Sequence, residues 1–421
     1  MSASVSGMDR WPVPLRLDGD RWATRRMEKR VLAVVHTVAA GQRVVDAVRL
    51  LDADPRVQVM FTAAPDVFSH GVAGFLEGLR GLVVPWSQAV NVRFDLALAA
   101  SHGSLYELHA PVIVLPHGVG HNKFVSVPTN RRGPGVTAGE REVYGLSRQR
   151  LVRDGVVVPK VIVLSHEEEL TRLGRACPEA LPFAEVIGDP CFDRMTASLP
   201  SRARYREALR IGANQALVLA CSTWGPDALL GQQWDLLDRL VTELPRDQFR
   251  IAVLLHPNVW SAHGDWQVQS WFAGLRRAGV LLVSQYADWC GPLVAADFIV
   301  GDHGSVSLYG TMTGAPVLMA GSPTVELAPG SPMVELRSIA PRIHADRPLR
   351  GQLRQAAAAP RAEHHARVAA RITSEPGHFA RRMRALIYRE LRLPAPAAQL
   401  PVEPAPLPVT VTGEAADGVT S

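Results

Sequence analysis

Short apolar runs rich in Val, Ile and Leu alternate with stretches of helical periodicity along the chain from Val31 onward. A short apolar run bounded by turn residues is typical of a strand buried in a parallel sheet. Because strands that alternate with helices assemble into parallel sheets, the pattern predicts an α/β protein. The predicted strands are 31–37, 57–62, 95–100, 112–116, 160–165, 184–187, 216–221, 250–255, 280–283, 298–300 and 317–319.

These elements form two series of comparable length, joined near residues 194–200, in a chain too long for one comfortable core. The pattern therefore predicts two facing Rossmann-like domains. The polar, Gly- and Arg-rich stretch 133–155 interrupts the first series and is predicted to be an active-site loop. The predicted parts are a disordered lead-in (1–28), an N-terminal acceptor domain (29–196), a C-terminal nucleotide-donor domain (197–345), helices that cross the domain junction (346–393) and a disordered tail (394–421).

Composition and charge narrow the functional classes. The chain has 421 residues, 47% of them hydrophobic, and a formal net charge of +5. Its arginines are dispersed rather than gathered in a stripe, which argues against a nucleic-acid partner. The charge suits a phosphorylated donor and is compatible with peripheral contact with the inner face of an anionic membrane. No early apolar run and no run of about 18 apolar residues is visible, so a cytoplasmic location is expected.

Candidate chemistry in the first series follows the predicted strands. His117 comes directly after strand 112–116, and side chains just past the carboxyl ends of parallel strands line the ligand crevice. Because the pKa of an imidazole lies near neutrality, His117 is a candidate general base; the alternative is a loop histidine that caps a neighbouring helix. Gly118 and Gly120 would let the backbone turn tightly beside the acceptor, and His166 follows strand 160–165 on the same side.

The second series carries three candidate donor-binding segments, each with a purely structural alternative. His256 and Pro257 end strand 250–255, where a proline also simply stops a strand. A helix start with a hydroxyl residue suits a diphosphate, but the same residues serve as ordinary caps. The candidate donor-binding residues are Ser222, Thr223, Trp224, His256, Pro257, Asp302, His303, Gly304 and Ser305.

Three other features are assigned no chemistry. Asp52 and Asp54 imitate a metal-binding D-x-D, but they precede a strand instead of following one and are predicted to be a solvated turn. His364 and His365 lie in a predicted helix rich in Arg and Ala and are expected to face solvent. The four cysteines include no C-x-x-C pair, so neither a disulfide framework nor a zinc site is predicted. Neither a P-loop nor a G-x-G-x-x-G motif is present.

Taken in order, these motifs resemble the CDP-glycerol glycerophosphotransferase family of teichoic-acid polymerases, which have the GT-B fold. The similarity covers roughly residues 110–385, and the order of five short motifs carries it. In the first series, Pro116-His117-Gly118-Val119-Gly120 matches the family's W-H-G-T-P, and Gly188-Asp189-Pro190-Cys191-Phe192-Asp193 matches its G-x-P-R-x-D. In the second series, Ser222-Thr223-Trp224 matches P-T-W, His256-Pro257 matches H-P, and Gly301-Asp302-His303-Gly304-Ser305 matches T-D-Y-S-S. Gly304 stands for a family serine, and Tyr309 for an acidic residue one turn later.

The resemblance implies a transferase that works without a metal or another cofactor. It implies that His117 and His256 are both catalytic residues needed for transfer. His117 would activate an acceptor hydroxyl and His256 would contact the donor phosphates. The donor would be CDP-glycerol or a nucleotide-diphosphate sugar, and the pathway would belong to the cell envelope or to secondary metabolism. Two alternatives remain, because a GT-B fold alone decides no activity. They are an enzyme like UDP-N-acetylglucosamine 2-epimerase and a non-catalytic relative that binds nucleotides or glycans.

Overall fold

The computed structural model describes residues 24–25, 27–119, 121–122, 145–397 and 401–411, together with the backbone of 124–125 and 142–143. The chain divides into two compact units, and each is built from three separate stretches of sequence. Unit 1 comprises residues 1–193, 326–338 and 367–402, and unit 2 comprises 194–325, 339–366 and 403–421.

Unit 1 contains a six-stranded, all-parallel sheet in the order β10-β9-β4-β3-β1-β2. Its central strands are buried on both faces, as expected where helices cover both sides of a sheet. Two small antiparallel pairs, β5–β6 and β7–β8, lie outside this sheet. The strands are β1 (Lys29–Val35), β2 (Val57–Ala63), β3 (Leu96–Ala99), β4 (Val112–Val114), β5 (Phe124–Val125), β6 (Glu142–Val143), β7 (Val152–Arg153), β8 (Val156–Val157), β9 (Val161–Leu164) and β10 (Ala184–Val186).

The helices of the first stretch of unit 1 pack on this sheet. Helix α1 starts at a cap in which the Thr37 hydroxyl accepts a hydrogen bond from the backbone N–H of Ala40, 3.1 Å away. Its buried face includes Val38, Val44 and Val48, which join the sheet core. The helices are α1 (Val38–Val48), α2 (Val72–Leu79), α3 (Trp86–Ala89), α4 (Arg148–Leu151) and α5 (Glu168–Ala176), and α6 (Pro190–Ser198) runs across the boundary between the units.

Unit 2 contains a five-stranded parallel sheet in the order β13-β12-β11-β14-β15. Its core combines apolar residues of these strands with the apolar faces of the helices that pack on them. The strands are β11 (Ala216–Ser222), β12 (Phe249–Leu255), β13 (Leu281–Leu282), β14 (Phe298–Gly301) and β15 (Val317–Met319). The helices are α7 (Arg202–Ala208), α8 (Leu229–Gln232), α9 (Trp234–Glu243), α10 (Pro257–His263), α11 (Asp265–Arg277), α12 (Cys290–Ala295) and α13 (Ser305–Gly310).

The last four helices are shared between the units. Helix α15 (Leu349–Ala358) packs on α9 in unit 2. Helix α17 (Phe379–Leu391) completes the core of unit 1 through Phe379, Met383, Leu386 and Ile387, which are all buried. The other two helices are α14 (Pro332–Ile339) and α16 (Ala362–Ala370).

Residues 401–411 differ from the disorder that their composition predicts. This segment lies along the edge of the unit 2 sheet, where Thr410 forms an antiparallel bridge with Val283. The Tyr205 hydroxyl donates to the Ala405 carbonyl oxygen at 2.8 Å, and the Ala405 N–H donates to Ser198 Oγ at the same distance. Backbone pairing and a few such anchors hold the segment in place, and composition does not reveal them. Residues 398–400 and 412–421 of the predicted tail lie outside the described residues.

The predicted fold class is confirmed, since all eleven predicted strands of the two sheets are present. The predicted loop 133–155 is different in its described part, because 148–157 forms α4 and the β7–β8 pair; residues 133–141 and 144 lie outside the described residues. Most of the predicted lead-in, 1–23 and 26, also lies outside them. Among the described residues, no helix combines the length and the apolar character that a membrane crossing requires.

The prediction of a solvated turn is wrong for Asp54. Its side chain is buried and accepts hydrogen bonds from Arg56 Nη2 and from the Tyr388 hydroxyl, each at 2.7 Å. The hydrogen bonds from Arg56 hold the pKa of the Asp54 carboxyl well below its ordinary value, despite the opposite effect of burial. Asp54 therefore ties α17, at the end of the chain, to the turn that leads into β2.

We expect the Asp54→Asn variant to be less stable at neutral pH and to approach the parent chain as the pH falls. A carboxyl whose pKa is lowered by folding stabilises the folded chain above its unfolded pKa of about 4, and this stabilisation is lost as the pH falls below that value. Urea denaturation at pH 7, 4 and 3 measures the difference. Asp52→Asn, at the exposed neighbour, is the control; a gap between Asp54→Asn and the parent that stays constant over this range contradicts the assignment.

The expectation that both residues of the His364–His365 pair face solvent is also wrong for one of them. His364 is exposed, but His365 is buried. Burial, together with repulsion from neighbouring Arg361 and His364, lowers the pKa of His365 to about 4. His365 is therefore a neutral, packed residue of α16.

Candidate active site

The strand order of unit 1 locates its ligand crevice. The chain passes from β1 outward to β2 on one side and to β3 and β4 on the other, so the direction of winding reverses between β1 and β3. In open parallel sheets, ligands bind outside the carboxyl ends of the strands at such a reversal. Three histidines follow the strands at this place: His36 directly after β1, His102 shortly after β3 and His117 shortly after β4.

His36 is fully buried and has a defined tautomer. Its Nε2 lies 2.7 Å from the Gly103 carbonyl oxygen, which can only accept, so Nε2 carries the proton. Burial lowers the pKa of His36, which keeps the ring neutral. In a neutral ring with a protonated Nε2, Nδ1 carries the lone pair. Among the described residues, no group forms a hydrogen bond with this buried Nδ1.

His117 has the opposite tautomer. Its Nδ1 lies 3.0 Å from the carbonyl oxygen of Ala100, so Nδ1–H donates and the lone pair of the neutral ring is on Nε2. Backbone support of Nδ1–H fixes the orientation of the ring. A positioned imidazole with its lone pair on Nε2 can accept a proton from a substrate hydroxyl.

His102 and His121 complete a cluster of imidazoles. Burial, together with electrostatic repulsion from His117, Arg150, His36 and His121, lowers the pKa of His102 to about 3. This repulsion places all four groups near His102. His121 has a left-handed backbone, with φ of 41°, an arrangement that often accompanies functional sites.

Glu169 of α5 links His121 to β9. Its Oε1 lies 3.5 Å from His121 Nε2, and its Oε2 accepts hydrogen bonds from the backbone N–H of Ser165 at 2.7 Å and of His166 at 3.3 Å. His166, predicted on the acceptor side, accepts a hydrogen bond through Nδ1 from the N–H of Glu168 at 3.1 Å. His166 thus lies just before α5 and bonds to the first residue of the helix.

Of the two glycines predicted on the acceptor side beside His117, the structure describes one. Gly118 follows His117 and is partly exposed, whereas Gly120 lies outside the described residues.

In unit 2 the direction of winding reverses between β11 and β14. The chain passes from β11 to β12 and β13 on one side, and then to β14 and β15 on the other. Asp302, directly after β14, is buried there and accepts three backbone hydrogen bonds. Its Oδ2 accepts from Thr223 N–H at 2.8 Å and from Leu229 N–H at 2.9 Å, and its Oδ1 accepts from Gly304 N–H at 2.9 Å. The carboxylate therefore holds the loops after β11 and β14 together.

The residues after β11 have unequal exposure. Ser222 is buried, and its hydroxyl donates to the Thr223 carbonyl oxygen and accepts from the Leu230 N–H. Thr223 is also buried, whereas Trp224 is 38% exposed. Ser222 therefore shapes the loop, and the indole of Trp224 is accessible to a ligand.

His256 caps α10. Its Nδ1 accepts a hydrogen bond from the backbone N–H of Asn258 at 3.0 Å, and Pro257 occupies the first helical position. Because the Nδ1 lone pair is used, the proton of the neutral ring is on Nε2, which is a hydrogen-bond donor. His256 thus presents a donor, whereas His117 presents an acceptor.

The segment that follows Asp302 is tightly packed. A Cβ atom on Gly304 would lie 3.0 Å from Thr223 Cβ and 3.2 Å from Asp302 Oδ1, so a serine at position 304 would have to displace these neighbours. His303 is buried, and Ser305 opens α13, with Gly304 as a cap that has no side chain to bond the helix. Tyr309 is buried against the Trp289 ring, 4.8 Å between centroids, and belongs to the core of unit 2.

A pocket of about 530 Å³ opens beside Thr223 within unit 2. It is lined by the loop after β11 and by α8 to α11, with Trp234, His263 and Trp271 as its aromatic wall. The Trp234 and Trp271 rings meet edge to face, 6.3 Å apart. This volume lies within the range of about 300–1,000 Å³ that is typical of small-molecule sites. Among its described lining residues there is no Lys, Arg, Asp or Glu, so the pocket suits an uncharged ligand.

The described part of the chain contains no group of three or more His, Cys, Asp or Glu side chains that could hold a metal ion. All four cysteines are buried and unpaired.

Sequence reasoning missed His36, His102 and His121. His102 carries the same signal as His117, because it stands just past the predicted strand 95–100, whereas His36 falls inside the predicted strand 31–37. His121 has no such signal, since it lies in the turn region after His117. Strand order, which brings β1, β3 and β4 side by side, is what joins these residues into one cluster.

Comparison with known proteins adds a structural likeness. No protein-family model and no curated sequence matches the chain. A histidine-to-alanine variant of the wall teichoic acid polymerase TagF has a TM-score of 0.59 at 13% identity, covering 87% of this chain and 89% of that chain. A histidine-to-asparagine variant of TagF after a 30-minute soak with CDPG has a TM-score of 0.51 at 13% identity, covering 87% and 90%. The chain shares the fold of these two-domain proteins.

Proposed function

We propose that the chain is a GT-B-type transferase that moves a glycerophosphate or glycosyl group from a nucleotide-diphosphate donor to a hydroxyl acceptor. The observation that carries the proposal is the tautomer of His117, whose Nε2 lone pair is held at a strand end beside the reversal of the unit 1 sheet. The fold shared with TagF, one structure of which was soaked with CDPG, supports a nucleotide donor such as CDP-glycerol. A pathway of the cell envelope or of secondary metabolism is consistent with such a donor.

In this proposal, the donor binds to unit 2. His256 Nε2–H would donate to a phosphate oxygen, and the backbone around Gly304 and Ser305 would approach the diphosphate closely. The Asp302 carboxylate would position this backbone without contacting the donor. The pocket beside Thr223 would receive the uncharged nucleoside against Trp234 and Trp271.

The chemistry requires no group beyond these residues. Nε2 of His117 accepts the proton as the acceptor hydroxyl attacks. With CDP-glycerol, the acceptor oxygen bonds to the phosphorus that carries glycerol, the bond to the CMP oxygen breaks, and CMP leaves with the electron pair. With a sugar donor, the oxygen bonds to the anomeric carbon and the nucleoside diphosphate leaves. General-base catalysis of this kind contributes about a hundred-fold or more.

Thermal denaturation with CDP, UDP, GDP, ADP and TDP tests the donor half of the proposal. The matching nucleotide at a hundred times its dissociation constant should stabilise the chain by about 2.7 kcal/mol. The His256→Asn variant keeps a capping side chain for the Asn258 N–H and removes Nε2, so it should fold normally and lose most of this response. The nucleoside without phosphates should respond to the substitution far less.

A flat response of the parent chain to all five nucleotides would contradict a nucleotide donor. The alternatives give different results: a 2-epimerase would convert UDP-N-acetylglucosamine without any acceptor, and a non-catalytic relative would bind a nucleotide but transfer nothing. Peripheral contact of the chain with the inner face of an anionic membrane belongs to the same proposal, since the net charge of +5 would favour it.

A further inference from the structure

Four arginines that are separated in the sequence gather at the amino-terminal edge of the unit 2 sheet. Helix α11 leads into β13, which is parallel to β12, so the end of α11 and the start of β12 lie at this edge. The proposed donor-binding residues follow the carboxyl ends of the strands, about 20 Å away along the seven-residue β12. The four residues, which we call the basic cluster, are Arg246, Arg250, Arg276 and Arg277.

Gly279 brings Arg246 to the end of α11. A Cβ atom on Gly279 would lie 2.8 Å from Arg246 Cζ, so the Arg246 guanidinium packs directly on the backbone of this glycine. The Gly279 N–H donates to the Arg276 carbonyl oxygen at 2.8 Å and closes the last turn of α11, to which Arg276 and Arg277 belong. The carboxyl end of a helix stabilises cations in its last turn, which accounts for Arg276 and Arg277 but not for Arg246.

Arg250 extends the cluster onto β12. Ala252 of β12 pairs with Leu281 of β13. Arg250 and Gly279 each stand two residues before this pair, so they lie side by side at the starts of the two strands. The Nε atom of Arg250 is buried and, among the described residues, has no hydrogen-bond partner. Burial and repulsion from Arg246 both lower the pKa of Arg250, which still stays charged because a guanidinium is not deprotonated in proteins.

No carboxylate of the described residues forms an ion pair with the basic cluster. Elsewhere in unit 2 such pairs are formed, since Arg202 and Arg206 both contact the Asp297 carboxylate. Asp247, the acidic residue nearest to the cluster in the sequence, is exposed and makes no such contact. Because like charges held together without a counter-charge repel one another, the cluster suits an anionic partner.

Exposed aliphatic side chains lie beside the basic cluster. Arg276 Nη2 donates to the Val411 carbonyl oxygen at 3.1 Å, in the segment that bridges to β13. Val409 and Leu407 of this segment are 57% and 49% exposed. Cations together with exposed apolar side chains are typical of surfaces that bind an anionic lipid interface, where the cations meet phosphates and the apolar groups enter the acyl boundary. A free phosphate ion would use the cations alone.

We propose that the basic cluster, together with Val409 and Leu407, docks unit 2 on the surface of an anionic lipid membrane. The inference rests on the membrane contact that belongs to the proposed function, and it assigns this contact to one face of unit 2. Arg246 and Arg277, which are both exposed, would donate to the lipid phosphates. The carboxyl ends of the strands, at the opposite edge of the sheet, would stay accessible to the donor.

Co-sedimentation of the full chain with phosphatidylcholine vesicles, with and without phosphatidylglycerol, tests the docking face. The parent chain should bind only the vesicles that contain phosphatidylglycerol, and its affinity should fall as salt is added. Each arginine near an anionic surface contributes about fivefold in affinity (about 1 kcal/mol), so the Arg246→Gln/Arg277→Gln variant should bind about thirtyfold more weakly. Its Tm should match that of the parent, because both side chains are exposed.

The Arg80→Gln/Arg93→Gln variant is the matched control, because it removes the same charge from two exposed arginines of unit 1. It should bind the vesicles like the parent. Equal binding of the two kinds of vesicle by the parent, or an equal loss in the two variants, overturns the docking face. Calorimetric titration with inorganic phosphate provides a further comparison. A parent chain that binds phosphate through Arg246 and Arg277 but ignores the vesicles would have a site for a free anion, and lipid docking would be wrong.

The same measurements separate the docking face from the proposed reaction. A chain that docks through the basic cluster but transfers nothing would contradict the proposed transfer alone. A chain that transfers to its acceptor but ignores vesicles with phosphatidylglycerol would contradict the docking face alone.

Discussion

The His117→Asn variant should lose about a hundred-fold or more in turnover while it binds the donor as tightly as the parent chain. Asparagine places an amide N–H near the position of Nδ1, so the hydrogen bond to the Ala100 carbonyl oxygen can persist while Nε2 is removed. Loss of a positioned general base costs about two to four powers of ten in rate. Single-turnover rates with a saturating donor measure the effect, and the donor-induced rise in Tm measures binding.

Two further variants separate the base from the structure around it. His117→Ala should lose the same rate and also some stability, because the Ala100 carbonyl oxygen loses its partner. His109→Asn, at an exposed histidine of unit 1, should keep its full rate. A His117→Asn protein with the turnover of the parent would remove the proposed base and leave the non-catalytic alternative.

Asp302→Ala should destabilise unit 2 by about 3 kcal/mol or more and abolish the donor response. The carboxylate accepts hydrogen bonds from three backbone N–H groups, those of Thr223, Leu229 and Gly304. Each buried donor left without a partner costs about 1–3 kcal/mol, and the two loops lose their common anchor. Calorimetry resolves the transition of unit 2, and binding of the nucleotide found by the panel gives the second readout.

Asp227→Ala is the matched control, because Asp227 is an exposed carboxylate in the same loop after β11. This variant should differ from the parent by less than about 0.5 kcal/mol. Unchanged stability together with unchanged nucleotide binding in Asp302→Ala would show that Asp302 does not organise the loops.

The fold could be predicted from the sequence because its strands carry a local signal. Runs such as Val31–Val35 and Ala216–Cys221 are apolar on both faces, and this is the pattern of strands covered by helices on both sides. The end of each run also located His117 and His256, since the residue after a parallel strand lies at the ligand edge.

The features that the sequence did not reveal depend on long-range contacts. Asp54 looks like a turn residue until Tyr388, far along the chain, donates to it. Residues 401–411 look disordered until β13 provides a strand edge for them. Gly304, which departs from the family's serine, is explained only by the closeness of Thr223. In each of these cases the local sequence does not indicate the distant partner.

The candidate site likewise combines features that the sequence predicts with features that depend on distant contacts. Each histidine's place after a strand was visible, but its tautomer was not, because tautomers follow from the acceptors and donors around the ring. Ala100 fixes the proton of His117 and Asn258 that of His256, and neither pairing has a sequence signature. The chemical difference between the two histidines therefore required coordinates.

The division of unit 1 into three stretches of sequence has a consequence for the order of events on the ribosome. Domains commonly fold as they emerge, the amino-terminal one first. Here the core of the first sheet lacks Phe379, Met383, Leu386 and Ile387 until α17 has been made. The core of unit 1 therefore remains incompletely packed until nearly the whole polypeptide has been translated.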